Sequence, residues 1–178
     1  MIAYGAKQMA AAFRTVRKNT VQIAADIPED RYSWAPAAGV RTVQSLLVHI
    51  AVAPALHEDL HRVRRVTTLQ GYDFGALVTK MTTEEGKPRT KAETIALLTT
   101  EGDRFARWLE SLSTEFLEET YTDPTGQNPK TRFEGLLSAK EHEMHHRGQL
   151  MVIERMLGVV PHLTRQREER TAARAPAR

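Results

Sequence analysis

The chain of 178 residues contains no cysteine. That excludes disulfides, thiolate metal sites, iron–sulfur clusters and a cysteine nucleophile. Aromatic residues make up only 6% of the chain, and no apolar run approaches the roughly 20 residues of a membrane-spanning helix. No membrane partner is expected. The opening MIAYGAKQMAAAFRTVRK lacks the basic start, apolar middle and cleavage site of a secretory signal, which, with the missing cysteine, predicts a cytoplasmic protein. An excess of charge is also nearly absent: 25 basic side chains face 22 acidic ones, for a net +3. From Thr164 to Arg178, the five arginines Arg165, Arg167, Arg170, Arg174 and Arg178 outnumber Glu168 and Glu169 by three, so the whole excess belongs to the tail. A neutral body lacks the basic patch that nucleic-acid binding uses, and no nucleic-acid partner is expected. Residues 1–163 are expected to form a single domain, and residues 164–178 a basic, frayed or disordered tail.

What the sequence does contain is helical periodicity. A first stretch places Met9, Phe13, Val16, Thr20, Ile23 and Ile27 on one stripe and stops at Pro28. A second runs from Thr42, an N-cap, through Leu46, His49, Ile50, Ala53, Leu56, Leu60 and Val63. Pro54 should bend it, because it lacks the amide that would have bonded the Ile50 carbonyl. A third opens with a Thr90–Glu93 capping box and carries Ile95, Leu98, Gly102, Phe105, Leu109 and Leu112. A fourth opens with a Thr131–Glu134 box and ends at Gly158, with Pro161 beyond. Residues 66–89 form a crossover with a helical pattern near Phe74 to Met81, and Ser113 to Lys130 form a loop with an extended piece near Thr120 to Thr122. The pattern predicts an all-α four-helix bundle with a long crossover between helices 2 and 3.

The chemistry lies in the histidines, of which there are seven. On the fourth helix the inward stripe reads Leu136, Ala139, His142, His146, Gln149, Leu150, Ile153 and Leu157. His142 and His146, four residues apart, share one face. His49 lies between Leu46 and Ala53 on the second stripe and should face the same interior. Three imidazoles would then meet, and buried rings without partners cost about 1–3 kcal/mol each, which favours a metal that takes their lone pairs. His57 and His61 are assigned to the surface, and His145 to the surface or the periphery of the site. His162 lies in a loop without a role.

Two stretches satisfy H-E-x-x-H, the pattern of zinc peptidases: His57 to His61 and His142 to His146. The glycine and third histidine of the extended motif are absent from both, since Arg64 or Gln149 and Thr67 or Val152 stand there. Peptidase activity is the less favoured reading.

HEMHHRGQL from His142, with SWAP at Ser33 to Pro36 and SLLVHIA at Ser45 to Ala51, resembles the DinB-like family of metal-binding four-helix bundles, the YfiT-like proteins. The resemblance spans roughly residues 5 to 160. It implies His49, His142 and His146 as ligands of one divalent ion, zinc or nickel, with iron or manganese as alternatives. It also implies a homodimer, a small-molecule substrate and, in some members, a low-molecular-weight thiol. Where members often carry a bulky residue before a serine, this chain has Arg41 or Val43. The resulting expectation is a metal-dependent transferase or hydrolase that activates a thiol or water for attack on a small electrophile. With no cysteine, any thiol must come with a ligand. The alternative is a non-catalytic metal-binding stress protein or dimeric binding module. Glu143 is a candidate proton acceptor or ligand-orienting group, with a solvated carboxylate as the plain alternative, and Gln149 is a candidate hydrogen-bonding partner of the site. Gly148 suggests close helix packing and Arg147 a surface ion pair. Phe133, Leu137, Met144 and Met151 form a second apolar stripe available to a dimer interface or to bundle packing.

Overall fold

The computed structural model of the protein describes residues 4–174, and the four long helical stretches are its frame. Helix α1 (Ala6–Asp26) buries Met9, Phe13, Val16, Thr20 and Ile23 and ends ahead of Pro28. Helix α2 (Val43–Val52) starts at Thr42, whose hydroxyl accepts from the Ser45 amide. Past Pro54 the chain continues as a short α3 (Ala55–His57) and a π-helical turn over Glu58–Val63. The crossover holds α4 (Phe74–Glu85), which packs against α2. Helix α5 (Lys91–Glu110) begins with the Thr90–Glu93 capping box. A short α6 (Thr114–Glu118) precedes β1 (Thr120–Tyr121), which pairs antiparallel with β2 (Lys130–Thr131). Helix α7 (Arg132–Met156) opens on the Thr131–Glu134 box and gives way to Gly158, whose φ of +77° suits a residue without a Cβ. Among the described residues no helix is long and apolar enough to cross a membrane.

Three expectations are corrected. His57 and His61, expected at the surface, are buried at 8% and 0% exposure, while Val63, expected inside, is 73% exposed. The cause is the π turn: an Arg64 amide bonded to the Asp59 carbonyl five residues back advances the helix by a smaller angle per residue than an α-helical wheel assumes. Of the tail expected to be frayed over residues 164–178, residues 164–174 instead belong to helix α8 (His162–Arg174). It is moored to α1 by Arg165 Nη2 to Asp26 Oδ2 at 2.6 Å and by His162 Nε2 to Asn19 Oδ1 at 3.3 Å. Arg178 lies outside the described residues. Gly148 packs against nothing, since a Cβ there would meet no atom within 4 Å.

The core divides into two apolar clusters. One gathers Ile23, Ile27, Leu47, Ile50, Leu98, Leu150 and Ile153; the other gathers Met9, Phe13, Phe105, Trp108, Leu109 and Leu136. Between them along α1 and α7 lies a polar layer. Arg17 Nε donates to both Glu143 oxygens at 2.9 and 3.0 Å, its Nη1 to the Leu98 carbonyl at 2.7 Å, and its Nη2 to the Ile50 carbonyl at 3.1 Å. Thr20 donates to Glu143 Oε1 at 2.7 Å. The Ile50 carbonyl is the one that Pro54 cannot satisfy, so Arg17 replaces the missing amide. Gly102 makes room: a Cβ at that position would lie 2.6 Å from Arg17 Cγ.

Removing Glu143 leaves a buried guanidinium without its counter-ion, and Glu143→Ala should lose about 3 kcal/mol in denaturant unfolding. The pH profile has a second signature. Burial, and then the neighbouring Asp26, raise the Glu154 carboxyl to about 7, and neither of its oxygens has a hydrogen-bond partner. The folded state therefore holds this proton more tightly than the unfolded chain. Stability from this group is intact below its unfolded pKa near 4.3 and falls as pH rises towards 7. Burial lowers His57 to about 4, and burial followed by His57 and Arg132 lowers His61 to about 3. Here the unfolded chain binds the proton more tightly, so stability falls as pH drops below about 6.5. Glu154→Gln should raise the melting temperature at pH 8 and change it little near pH 4.5. A uniform effect across pH would refute the assignment.

Candidate metal centre

Helix α2 brings His49, and α7 brings His142 and His146, to one point at the side of the bundle. His142 Nε2 lies 3.1 Å from His49 Nε2 and 3.1 Å from His146 Nε2. Their nearest donor atoms all fall within 4.8 Å of one another, and among the described residues this is the one such grouping of His, Cys, Asp or Glu side chains. The four-residue spacing on α7 stacks two rings on one face, and the α2–α7 packing sets the third opposite them.

Hydrogen bonding defines which nitrogens are bare. His49 Nδ1 lies 2.8 Å from Glu85 Oε1, and since a carboxylate only accepts, Nδ1 carries the hydrogen and Nε2 a lone pair. His146 Nδ1 donates to Gln149 Oε1 at 2.8 Å, which leaves its Nε2 bare as well. Both lone pairs face His142 Nε2, which has at most one hydrogen to offer. At least one nitrogen then lacks a donor, and a cation satisfies all three. Burial keeps the rings neutral: it lowers His49 and His146 despite the opposing bonds to Glu85 and Gln149, and burial with His146 beside it lowers His142 to about 4. This neutral nitrogen set suits zinc, nickel or a similar divalent ion.

The carboxylate that orients His49 comes from the last residue of α4, and sequence patterning did not single it out. Glu85 is 9% exposed and bridges two partners, His49 and Arg41, whose Nε lies 2.6 Å from Glu85 Oε2. Burial pushes its carboxyl up, but the hydrogen bonds from Arg41 and His49 outweigh that, and the net shift is downward. No local signal marks a residue 36 positions from its histidine; only the docking of α4 on α2 reveals it. Histidine ligands commonly carry such a carboxylate on the other ring nitrogen.

The remaining candidates separate. Gln149 touches His146 and also donates from Nε2 to His145 Nε2 at 3.2 Å. Glu143 does not join the histidines and is not solvated; it is 2% exposed and committed to Arg17 and Thr20. Glu58, the glutamate of the other H-E-x-x-H copy, is likewise buried and pairs with Arg104 and Arg62. Neither motif therefore presents a free carboxylate beside paired ligands, which removes the structural basis for the peptidase reading. His57 and His61 stack with ring centroids 6.1 Å apart, and His61 Nδ1 meets Arg132 Nη1 at 3.1 Å. Arg147 makes no ion pair among the described residues. Phe133 and Met151 pack partly against the core, while Met144 is 43% exposed.

Outside the triad opens a groove of about 740 Å³, bounded by His146, Gln149, Glu85 and Arg41 on its polar side and by Val40, Leu46, Val152, Ile153 and Met156. A second cavity of about 240 Å³ is lined by His142 with Pro54, His57, Met81 and Ser138.

The ligand assignment predicts that His142→Ala and His146→Ala lose the bound ion in elemental analysis. Glu85→Ala should weaken metal affinity by about 10- to 100-fold, because His49 loses its orientation. Glu143→Gln should leave metal content unchanged in the folded fraction although it adjoins His142 in sequence.

Several solved structures share the fold, two of them from one organism. The DinB-like protein YjoA of Bacillus subtilis is 24% identical, with a TM-score of 0.62 over 85% of this chain and 92% of that one. YfiT of the same organism, described as a probable metal-dependent hydrolase with an unusual four-helix bundle topology, is 16% identical, with a TM-score of 0.65 over 86% of this chain and 88% of that one. No curated protein matches the chain. The family model of the DinB superfamily matches residues 12–150. With most of its length, including all three converging histidines, inside that match, the chain belongs to the DinB superfamily.

Proposed function

We propose that the protein holds one divalent ion, zinc or nickel, on His49, His142 and His146, and uses it in a transferase or hydrolase reaction on a small electrophile. The observation that carries this reading is the convergence of three neutral imidazole nitrogens beside an open groove. A closed structural site would instead have a fourth protein ligand. The likeness to YfiT, described as a probable metal-dependent hydrolase, supports the same reading. When bound, the ion supplies Lewis acidity, which lets a water or a low-molecular-weight thiol lose its proton near neutral pH.

The chain's own side chains do the rest. Glu85 holds the His49 ring and Gln149 holds the His146 ring, so both present lone pairs in a fixed direction. Leu46, Val152, Ile153 and Met156 line the groove beside the triad with apolar surface suited to the apolar part of a substrate. The chain has no thiol of its own, so a thiol reaction needs a thiol co-substrate. Assembly as a homodimer is part of the proposal, with the exposed Met144 on a face open to a partner.

Elemental analysis should find about one ion per chain, and the cobalt-substituted protein should show ligand-field bands that move on adding a small thiol or at the pH where bound water ionises. Bands indifferent to every thiol and to pH would overturn the catalytic reading.

A further inference from the structure

The groove beside the triad has a specific chemical character. Val40, Val152 and Met156 are 52%, 57% and 56% exposed, unusual for large apolar side chains, and all three line this one cavity with Leu46 and Ile153. Its volume of about 740 Å³ lies in the range of small-molecule pockets. Among its lining residues there is one cation, Arg41, and one anion, Glu85.

Glu85 is an acceptor only and already takes hydrogens from His49 and Arg41, so it offers a ligand carboxylate nothing to bond. Its Oε1 accepts from His49 and its Oε2 from Arg41 Nε, with Arg41 Nη2 a further 3.4 Å from Oε1. Arg41 is different. A guanidinium has five N–H donors in a planar fork, and Glu85 takes only the Nε hydrogen and, at 3.4 Å, one of the two on Nη2. Nη1 has no partner among the described residues, and the side chain is 43% exposed. The Nη1–Nη2 end is therefore free to bind a second planar acceptor with two oxygens, the geometry of a carboxylate. The count of charges narrows the ligand further. A single, partly neutralised guanidinium matches one negative charge, whereas a nucleotide or pyrophosphate would require several donors. Glu85 also positions the anchor, because the carboxylate that orients His49 holds Arg41 at the groove wall.

We infer that the groove binds an amphipathic monocarboxylate, an apolar body of several carbons lying along Val152 and Met156 with its carboxylate on the free end of Arg41. This names the substrate class of the proposed metal site and rests on that site for its catalytic meaning. Of the triad only His146 lines the groove, and the carboxylate contact falls on Arg41, outside the triad.

The test is calorimetric titration of the full-length protein with octanoate and with its uncharged amide, in the zinc-loaded and metal-free forms. In both forms octanoate should bind about tenfold more tightly than the amide, the scale of one charge-assisted hydrogen-bonded pair. Arg41→Gln should abolish that preference while amide binding persists, which also reports an intact groove, and Arg41→Lys should restore part of the preference. His142→Ala, which loses the ion, should keep the preference. Equal binding of the two probes, binding of neither at millimolar concentration, or a preference that survives Arg41→Gln would overturn the inference. A preference confined to the zinc-loaded form would also overturn it, by assigning the carboxylate to the metal. Failure of the protein to hold an ion would sink the proposed function and leave the Arg41 result standing.

Discussion

The bundle depends on one buried side chain. Arg17 leaves α1 at mid-height and contacts each of the other three bundle helices: Glu143 on α7, the Leu98 carbonyl on α5 and the Ile50 carbonyl on α2. A buried ion pair of this kind adds little net stability compared with an apolar core. Its effect is on register. Sliding any of the three partners by a turn would leave a charge or a carbonyl buried without its bond, a cost of several kcal/mol against a total stability of about 5–15 kcal/mol. Because α2 and α7 are held by the same guanidinium, His49 is held opposite His142 and His146. Pro54 and Gly102 belong to the same device, one exposing a carbonyl and the other clearing the path.

The candidate metal centre grows out of that register, with the crossover as its second support. Helix α4 ends against α2, and its last residue, Glu85, ties a triad ring to the groove wall at Arg41. Three neutral imidazoles, one ring-orienting carboxylate and one half-engaged guanidinium thus stand in one continuous line of contacts, with hydrogen bonds from Arg41 through Glu85 to His49 and a shortage of hydrogens among the three facing ring nitrogens. The polar side of the groove is formed by Arg41, Glu85, His146 and Gln149, and the other side is apolar. A ligand that satisfies both walls has an apolar body and one anionic end.

The two H-E-x-x-H strings show how far a local pattern reaches. Both satisfy the same spacing, yet His142 and His146 converge on a third histidine, whereas His57 and His61 enter the interior without one. Both glutamates are held by arginines distant in sequence, Arg17 and Arg104. A short motif specifies which side chains can share a helix face. It does not specify what that face meets, nor does it anticipate a π turn, whose smaller rotation per residue carried His61 inside and Val63 out.

The sequence by itself determined the four long helices, their starts at Thr42, Thr90 and Thr131, the stop at Gly158 and the helix faces that carry His49, His142 and His146. Each of these follows from interactions within a turn or two of one helix, where capping groups and apolar spacing act directly. The tertiary structure decided the rest: Glu85 as the partner of His49, Arg41 on the groove wall, Glu143 as a structural counter-ion, burial of His57 and His61, and the folding of α8 onto α1. Those outcomes are bonds between residues tens of positions apart, such as the 126 that separate Arg17 from Glu143. A charged side chain reads the same in sequence whether it faces water or a partner, and only the packing of helices against one another settles which.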